Sequence, residues 1–203
     1  VDWTPANRPK DFRWELASPD PLFVERAQAA LAGERDAFKG ALRLAADLLR
    51  NAHDRGPIQG GLEETYRRIT AEGFGYCADF TDTILALAHA ARIPARQWAF
   101  SFDGFGGHGH AFIEVFDAAR GKWLMLDPYN NFYPLTAPGG EPMSALEFRA
   151  ILLDRAAPVH LQRISESRLG FPVPGKAAEY YRQGVGEWYL WWGNDVFTYD
   201  RQP

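Results

Sequence analysis

The chain of 203 residues has a single cysteine, Cys77, so no internal disulfide can form and a cysteine-rich zinc module is excluded. It also has no excess of positive charge. Against 22 Lys and Arg stand 26 Asp and Glu, a formal net charge of −4, which leaves no basic field to neutralise phosphates and argues against nucleic acid as the main partner. No apolar run approaches the ~20 residues that a membrane-spanning helix needs. There are no internal repeats and no low-complexity tracts. Hydrophobic residues at 46% and charged residues at 24% are the proportions of a folded globular chain, so disorder does not describe the whole. The first residue is Val1, not Met, which is compatible with a processed exported protein or a trimmed chain and leaves the localisation open.

What the chain does have is aromatics: seven Trp, eight Tyr and 14 Phe, many crowded into "EWYLWWGNDVFTY" near the end. They read first as a large aromatic core. Trp188, Trp191 and Trp192 are also candidates to flank a cleft, because aromatic faces give rigid contact area.

The length suits one domain over 1–203. Pro5, Pro9, Pro19 and Pro21 make 1–20 an extended arm. Ala41, Leu44, Ala45, Leu48 and Leu49 recur at helical spacing in an Ala/Leu/Arg-rich stretch over 22–54, which Gly33 divides in two. A further helix, "LEETYRRITAE", is closed by Gly73. After "GFGYC", the residues Cys77, Phe80, Thr81, Ile84, Leu85 and Ala88 form one stripe of a helix that Pro94 stops. The period then changes from 3.6 to 2. Strands are expected over 95–102, 110–117 and 122–127, the last two joined by a turn near Ala118–Gly121. Ser144 and Glu147 form a capping box ahead of another helix, and a strand is expected over 159–164. From Gly170 onward, turns and aromatics alternate without a clear period. Helices followed by an antiparallel sheet give an α+β fold, with 62–135 as its central region and 136–203 as a C-terminal helix and aromatic-rich segment.

Cys77 follows a glycine-rich turn and opens an apolar helix, where free amides and the positive end of the helix dipole favour a thiolate. Its own amide is then an oxyanion donor. With a turn centred on Ala118 and Ala119, residues whose numbers sum to 237 face each other. His110 then lies opposite Asp127, at a Cβ separation of ~4.5–5.5 Å. A nucleophile, a base and an acid that orients the base are what thiol acyl transfer requires. Asp127→Asn, at a strand end, is expected to leave folding intact.

The segments "GYCADFTDTILALAHAARIPAR" and "GHGHAFIEVFDAARGKWLMLDPYNNFY" resemble bacterial-type members of the transglutaminase-like superfamily, the papain-related Cys-His-Asp enzymes. The resemblance runs from Gly73 to Tyr133. It implies a papain-like/transglutaminase-like core, with Cys77 as nucleophile, His110 as base and Asp127 as orienter, and it implies no cofactor. The substrate class it implies is a peptide, protein or other amide, hydrolysed or transferred to an amine through a Cys77 thioester. Tyr76, His108, Trp98, Tyr129 and Gln59 are the substrate-binding candidates. Gln59 and Asn51 are polar candidates for a second oxyanion donor. Two positions depart from the pattern: Ala78 stands where an aromatic often follows the cysteine, and Phe112 replaces the commoner Trp. Neither change removes a reacting group.

Two other readings are weaker. A non-catalytic binding domain would have no reason to keep all three reacting residues. "HGHAFIEVFDAARG" also resembles the first metal motif of cupins, through His108, His110 and Glu114. Phe102 stands where that motif has glycine, no second motif follows, and about the first ninety residues read as helical rather than β. Without a metal, His108 is a loop residue at the site mouth and Glu114 a partly exposed strand residue. His53 and His160 read as surface residues, His89 as a cation suited to a helix C-terminus, and Gly104–Gly109 as a lip beside His110.

Overall fold

A computed structural model describes residues 4–53, 56–58, 60–104, 108–191 and 193–197. Gln59, Trp192 and the middle of the expected glycine lip (105–107) lie outside the described residues. The periodic stretches fold as expected, with helices α1 (Pro21–Leu31), α2 (Ala37–Leu49), α3 (Leu62–Glu72) and α4 (Cys77–Ala90). Asp20 caps α1 and Asp36 caps α2, each through a carboxylate on a first-turn amide. Gly73 ends α3 with φ +72, and a Cβ there would lie 2.1 Å from His53 Nδ1, so only glycine fits.

Strands β2 (Ala95–Ser101), β3 (Gly109–Asp117) and β4 (Lys122–Leu126) form an antiparallel sheet, joined at its other edge by β7 (Trp188–Leu190) in the order β4-β3-β2-β7. Strands β5 (Phe132–Leu135) and β6 (His160–Arg163) pair separately, and β1 (Arg13–Trp14) pairs in parallel with β8 (Gly193–Asn194). Helix α5 (Ala145–Leu153) starts at the expected capping box, where Glu147 N–H donates to Ser144 Oγ at 3.1 Å and Ser144 N–H to Glu147 Oε2 at 2.7 Å. The stretch after Gly170 that showed no clear period holds helix α6 (Pro174–Gln183), with proline in its first turn.

The sheet is buried on both faces. One face packs with Leu44, Leu48 and Ile84 of the helices against Ile113, Val115, Leu124 and Leu126. The other carries Trp98, Phe100, Phe112, Met125, Phe148 and Tyr181, covered by α5 and α6. The abundant aromatics are shared between the two faces, with Phe23, Phe38 and Phe80 in the first, as the core reading expected.

This second layer corrects the reading of Glu114. Far from being partly exposed, it is 0% exposed and lies across the sheet from Arg96, its register partner. Its Oε2 accepts from Arg96 Nε at 2.6 Å and Trp98 Nε1 at 2.5 Å, and its Oε1 from Ala145 N–H at 2.6 Å. The Arg96 guanidinium stacks over the rings of Trp123 and Phe12, at 4.1 and 4.8 Å from their centroids. Glu114→Ala would leave that buried cation without its counter-charge. The expected loss is about 3–5 kcal/mol in a urea denaturation midpoint experiment. A loss below ~1 kcal/mol would mean that Arg96 is stabilised by its aromatic neighbours alone.

Candidate active site

Three elements converge on one point. Helix α4 begins at Cys77, and its start is fixed by Asp79, whose Oδ2 accepts from Tyr76 N–H at 2.9 Å and from Ile58 N–H at 3.0 Å. Strand β3 brings His110 to the same place. The register pairs Ile113 with Leu126 and Asp117 with Lys122, so facing residues sum to 239 and the turn is centred one residue later than expected. A shift of two in that sum keeps Asp127 on the face of His110 but makes it a diagonal neighbour. The chain turns at once after β4: Asp127 and Phe132 exchange backbone hydrogen bonds of 2.8 and 3.2 Å. That turn delivers the Asp127 carboxylate to the imidazole, with Oδ2 accepting from His110 Nε2 at 2.6 Å.

Asp127 is fully buried and saturated with donors. Besides His110, Oδ2 accepts from Asn130 Nδ2 at 2.7 Å and from the Tyr181 hydroxyl, and Oδ1 accepts from Asn130 N–H at 2.9 Å. Burial and the Asp127 charge push Tyr181 well above its usual range, so the phenol stays protonated and donates. The expectation that Asp127→Asn is structurally silent therefore fails. An amide cannot accept at both oxygen positions, and one N–H would face a donor in the interior.

Burial alone would lower the His110 pKa, but the Asp127 charge and hydrogen bond outweigh it and push the imidazole up to about 10. With Nε2 bound to Asp127, the buried Nδ1 is the nitrogen left for sulfur. Nδ1 makes no full hydrogen bond in this resting state, although His110 and Cys77 interact strongly enough to shift each other's pKa. A loose resting contact that tightens on binding is usual for such a pair. For Cys77, burial raises the pKa, but the His110 hydrogen bond and charge and the Ala111 N–H outweigh it, and the thiol falls below its ordinary value. The arrangement places an imidazolium beside a thiol that gives up its proton more readily than a free cysteine.

The half-buried Cys77 opens onto a cleft of about 390 Å³ lined also by Ala78, His110, Tyr189 and Trp191. Trp191 is 42% exposed there, whereas Trp188 stacks on Phe100, so the terminal aromatics divide between cleft and core. Tyr129 stands with its ring centroid 6.0 Å from that of His110, and Tyr76 meets Tyr129 edge-on. Trp98 does not reach the site, because it is buried with its indole N–H on Glu114. His108 is exposed and does not line this cleft. The Asn51 amide is occupied by Thr70 O at 2.6 Å. Glu114, with both oxygens committed to protein donors, is unavailable to the metal that the cupin-like motif would require. Among the described residues no group of three or more His, Cys, Asp or Glu side chains could hold a metal ion.

Sequence reasoning missed Tyr181. The signal for Tyr181 was the apolar spacing of Ala177, Ala178 and Tyr181 on α6, which its flanking prolines and glycines hide.

The model of the transglutaminase-like superfamily core matches residues 25–128, just over half of the chain. The chain belongs to the transglutaminase-like superfamily. The matched region contains Cys77, His110 and Asp127, while Asn130 and Tyr181 lie beyond it. No curated protein matches the sequence. Three solved structures are similar in part. A candidate cysteine protease from Cytophaga hutchinsonii is 21% identical over 55% of this chain and 39% of its own, with a TM-score of 0.43. A candidate protease from Parabacteroides distasonis is 12% identical over 52% and 22%, with a TM-score of 0.41. A TGase is 16% identical over 64% and 34%, with a TM-score of 0.35. The match therefore spans well under half the length of each.

In this superfamily member the depressed thiol makes a direct prediction. Alkylation of Cys77 by iodoacetamide should have its midpoint below the ~8.5 of a free cysteine. His110→Ala removes both the hydrogen bond and the positive charge while burial remains, so the midpoint should rise to ~8.5 or above. An ordinary midpoint unmoved by His110→Ala would contradict the pairing.

Proposed function

We propose that the chain is a cysteine-dependent enzyme that hydrolyses peptide or other amide bonds through a thioester on Cys77. Superfamily membership supports a cysteine-dependent enzyme in general terms. The single observation that carries the reading is the Asp127 carboxylate on His110 Nε2, at 2.6 Å, which leaves Nδ1 for sulfur.

The Cys77 thiolate attacks the amide carbonyl carbon, and the developing oxyanion accepts from the Cys77 backbone N–H at the helix start. The intermediate collapses with cleavage of the C–N bond, and the departing nitrogen takes a proton from the His110 imidazolium. This leaves a free amine and an acyl thioester. Neutral His110 then takes a proton from water as that water adds to the thioester. The C–S bond breaks, the acid departs, and thiolate and imidazolium are restored. Asp127 keeps Nε2–H pointing toward itself throughout, so the proton exchanged with substrate is the one at Nδ1. Tyr76 and Tyr129 form an aromatic edge against which a substrate can lie.

Hydrolysis is favoured over transfer because the cleft at Cys77 opens to solvent beside Trp191, which admits water. An amine in place of water would make the same thioester a donor for transfer.

A screen of peptide and amide substrates tests the reading. Turnover should be abolished by Cys77→Ser and untouched by chelators. Asp127→Asn should lower kcat/KM by a factor on the order of 10–10³, less than the ~10⁴ seen when a serine triad loses its acid, since a thiolate–imidazolium pair depends less on its orienter. The same variant should unfold at a lower temperature than wild type. Turnover that survives Cys77→Ser, or that is lost on chelation, would defeat the proposal.

A further inference from the structure

A second cleft, of about 410 Å³, lies between His53, Tyr129, Asn130, Arg168, Phe171 and Tyr180. We propose that this cleft is the subsite for a carboxylate of the substrate, with Arg168 as the residue that selects it. The assignment rests on the reading of Cys77 as nucleophile.

The first support is position. Asn130, on the cleft wall, contacts both His110 Nε2, at 3.1 Å, and Asp127. The rings of Tyr180 and Tyr129 lie 5.6 and 6.0 Å from the imidazole, centroid to centroid. Cys77 and His110 both line the other cleft, and Asn130 of this one contacts the same imidazole, so the two clefts meet at His110. A substrate spanning the reacting bond would put one part in each.

The second support is charge. Among the described residues no carboxylate lines this cleft. Asp127 lies behind Asn130, buried and balanced by the imidazolium. Arg168 is exposed and has no ion-pair or hydrogen-bond partner among the described residues; Glu166, its nearest acidic neighbour in sequence, does not line the cleft. The Cys77 cleft has the opposite character, with Asp82 and Asp195 in its wall and no Lys or Arg among the described residues.

The third support is a fixed frame. The segment bearing Arg168 is pinned from within, because Asn131 Nδ2 donates to the carbonyls of Ser165, Ser167 and Leu169, and the Arg163 guanidinium reaches the same three. Gly170, with φ +97, packs so closely that a Cβ would lie 2.1 Å from Asn130 O. His53 is held in the cleft wall by its backbone N–H to Gly73 O at 3.1 Å and by Nδ1–H to Asn51 O at 2.8 Å. Tyr180, kept protonated by burial and the charges of Asp127 and Cys77, is a hydroxyl donor in the same wall. A guanidinium and a phenol offered from rigid supports suit an anion.

The carboxylate could be a peptide C-terminus or an acidic side chain, and three reagents of nearly equal size separate them. N-iodoacetyl-glutamine carries only the α-carboxylate, N-iodoacetyl-isoglutamine only the side-chain carboxylate, and N-iodoacetyl-glutaminamide neither. Their rates of Cys77 alkylation are measured on wild type and on Arg168→Gln, which removes no internal contact. At least one anionic reagent should react roughly fivefold faster than the neutral one on wild type, the scale of one exposed ion pair. Which one does so names the source. Arg168→Gln should abolish that preference while leaving the neutral reagent's rate unchanged. Because the imidazolium attracts anions in both proteins, only the part lost with Arg168 counts for the subsite. Equal rates for all three on wild type, or a preference that survives Arg168→Gln, would overturn it. Slow alkylation by all three with the preference intact would fault the nucleophile and uphold the subsite.

Discussion

A fully buried carboxylate, Asp127, is the constraint around which the site is arranged. An unpaired charge in the interior is so costly that the surrounding chain has to supply donors, and it does so from three separate regions: His110 on β3, Asn130 in the following turn and Tyr181 on α6. Once those donors are in place, the charge of Asp127 determines the state of its neighbours. It holds the imidazole protonated to about 10, and the imidazolium in turn draws the thiol below its ordinary range. Folding raises the imidazole pKa, so this pairing contributes its stability in full below ~6.5 and loses it as pH rises through about 10.

The fold serves that cluster by stopping elements where they would otherwise interfere. Strand β4 ends opposite Ile113, so the start of β3 lacks that sheet neighbour. The amide of Ala111 there donates to the Cys77 sulfur. The turn after β4 then has to hold its shape without a strand. It does so through Asn131, which adopts φ 58 and binds the chain at Ser165, Ser167 and Leu169. The same contacts fix the segment from which Arg168 projects.

Local patterns were legible in the sequence, and contacts between distant segments were not. The stripe of Ala41, Leu44, Ala45, Leu48 and Leu49 is buried throughout, and the Ser144–Glu147 box caps α5, because both depend on neighbours three or four positions away. The face shared by His110 and Asp127 was legible from period-2 alternation, and it survived a turn displaced by one residue because parity was unchanged. Glu114 was misread because alternation on a strand implies an exposed face, and nothing local shows that α5 and α6 cover it. The direct pairing of Glu114 with Arg96 across β2 and β3 was the missed clue. Tyr181 donates to a residue 54 positions away, a contact that no periodicity encodes. His53, read as a surface residue, is half-buried in the wall of the second cleft for the same reason.

His110 is an imidazolium at neutral pH, held so chiefly by the Asp127 carboxylate on Nε2 and further by the Cys77 sulfur near its other nitrogen. A proton NMR titration of the His110 ring, followed in wild type and in Cys77→Ser, tests it most directly. The ring should remain protonated across the neutral range and lose its proton near 10 in wild type, and at a lower pH when the thiolate is gone. A ring that titrates near ~6.5 in both proteins would contradict the account.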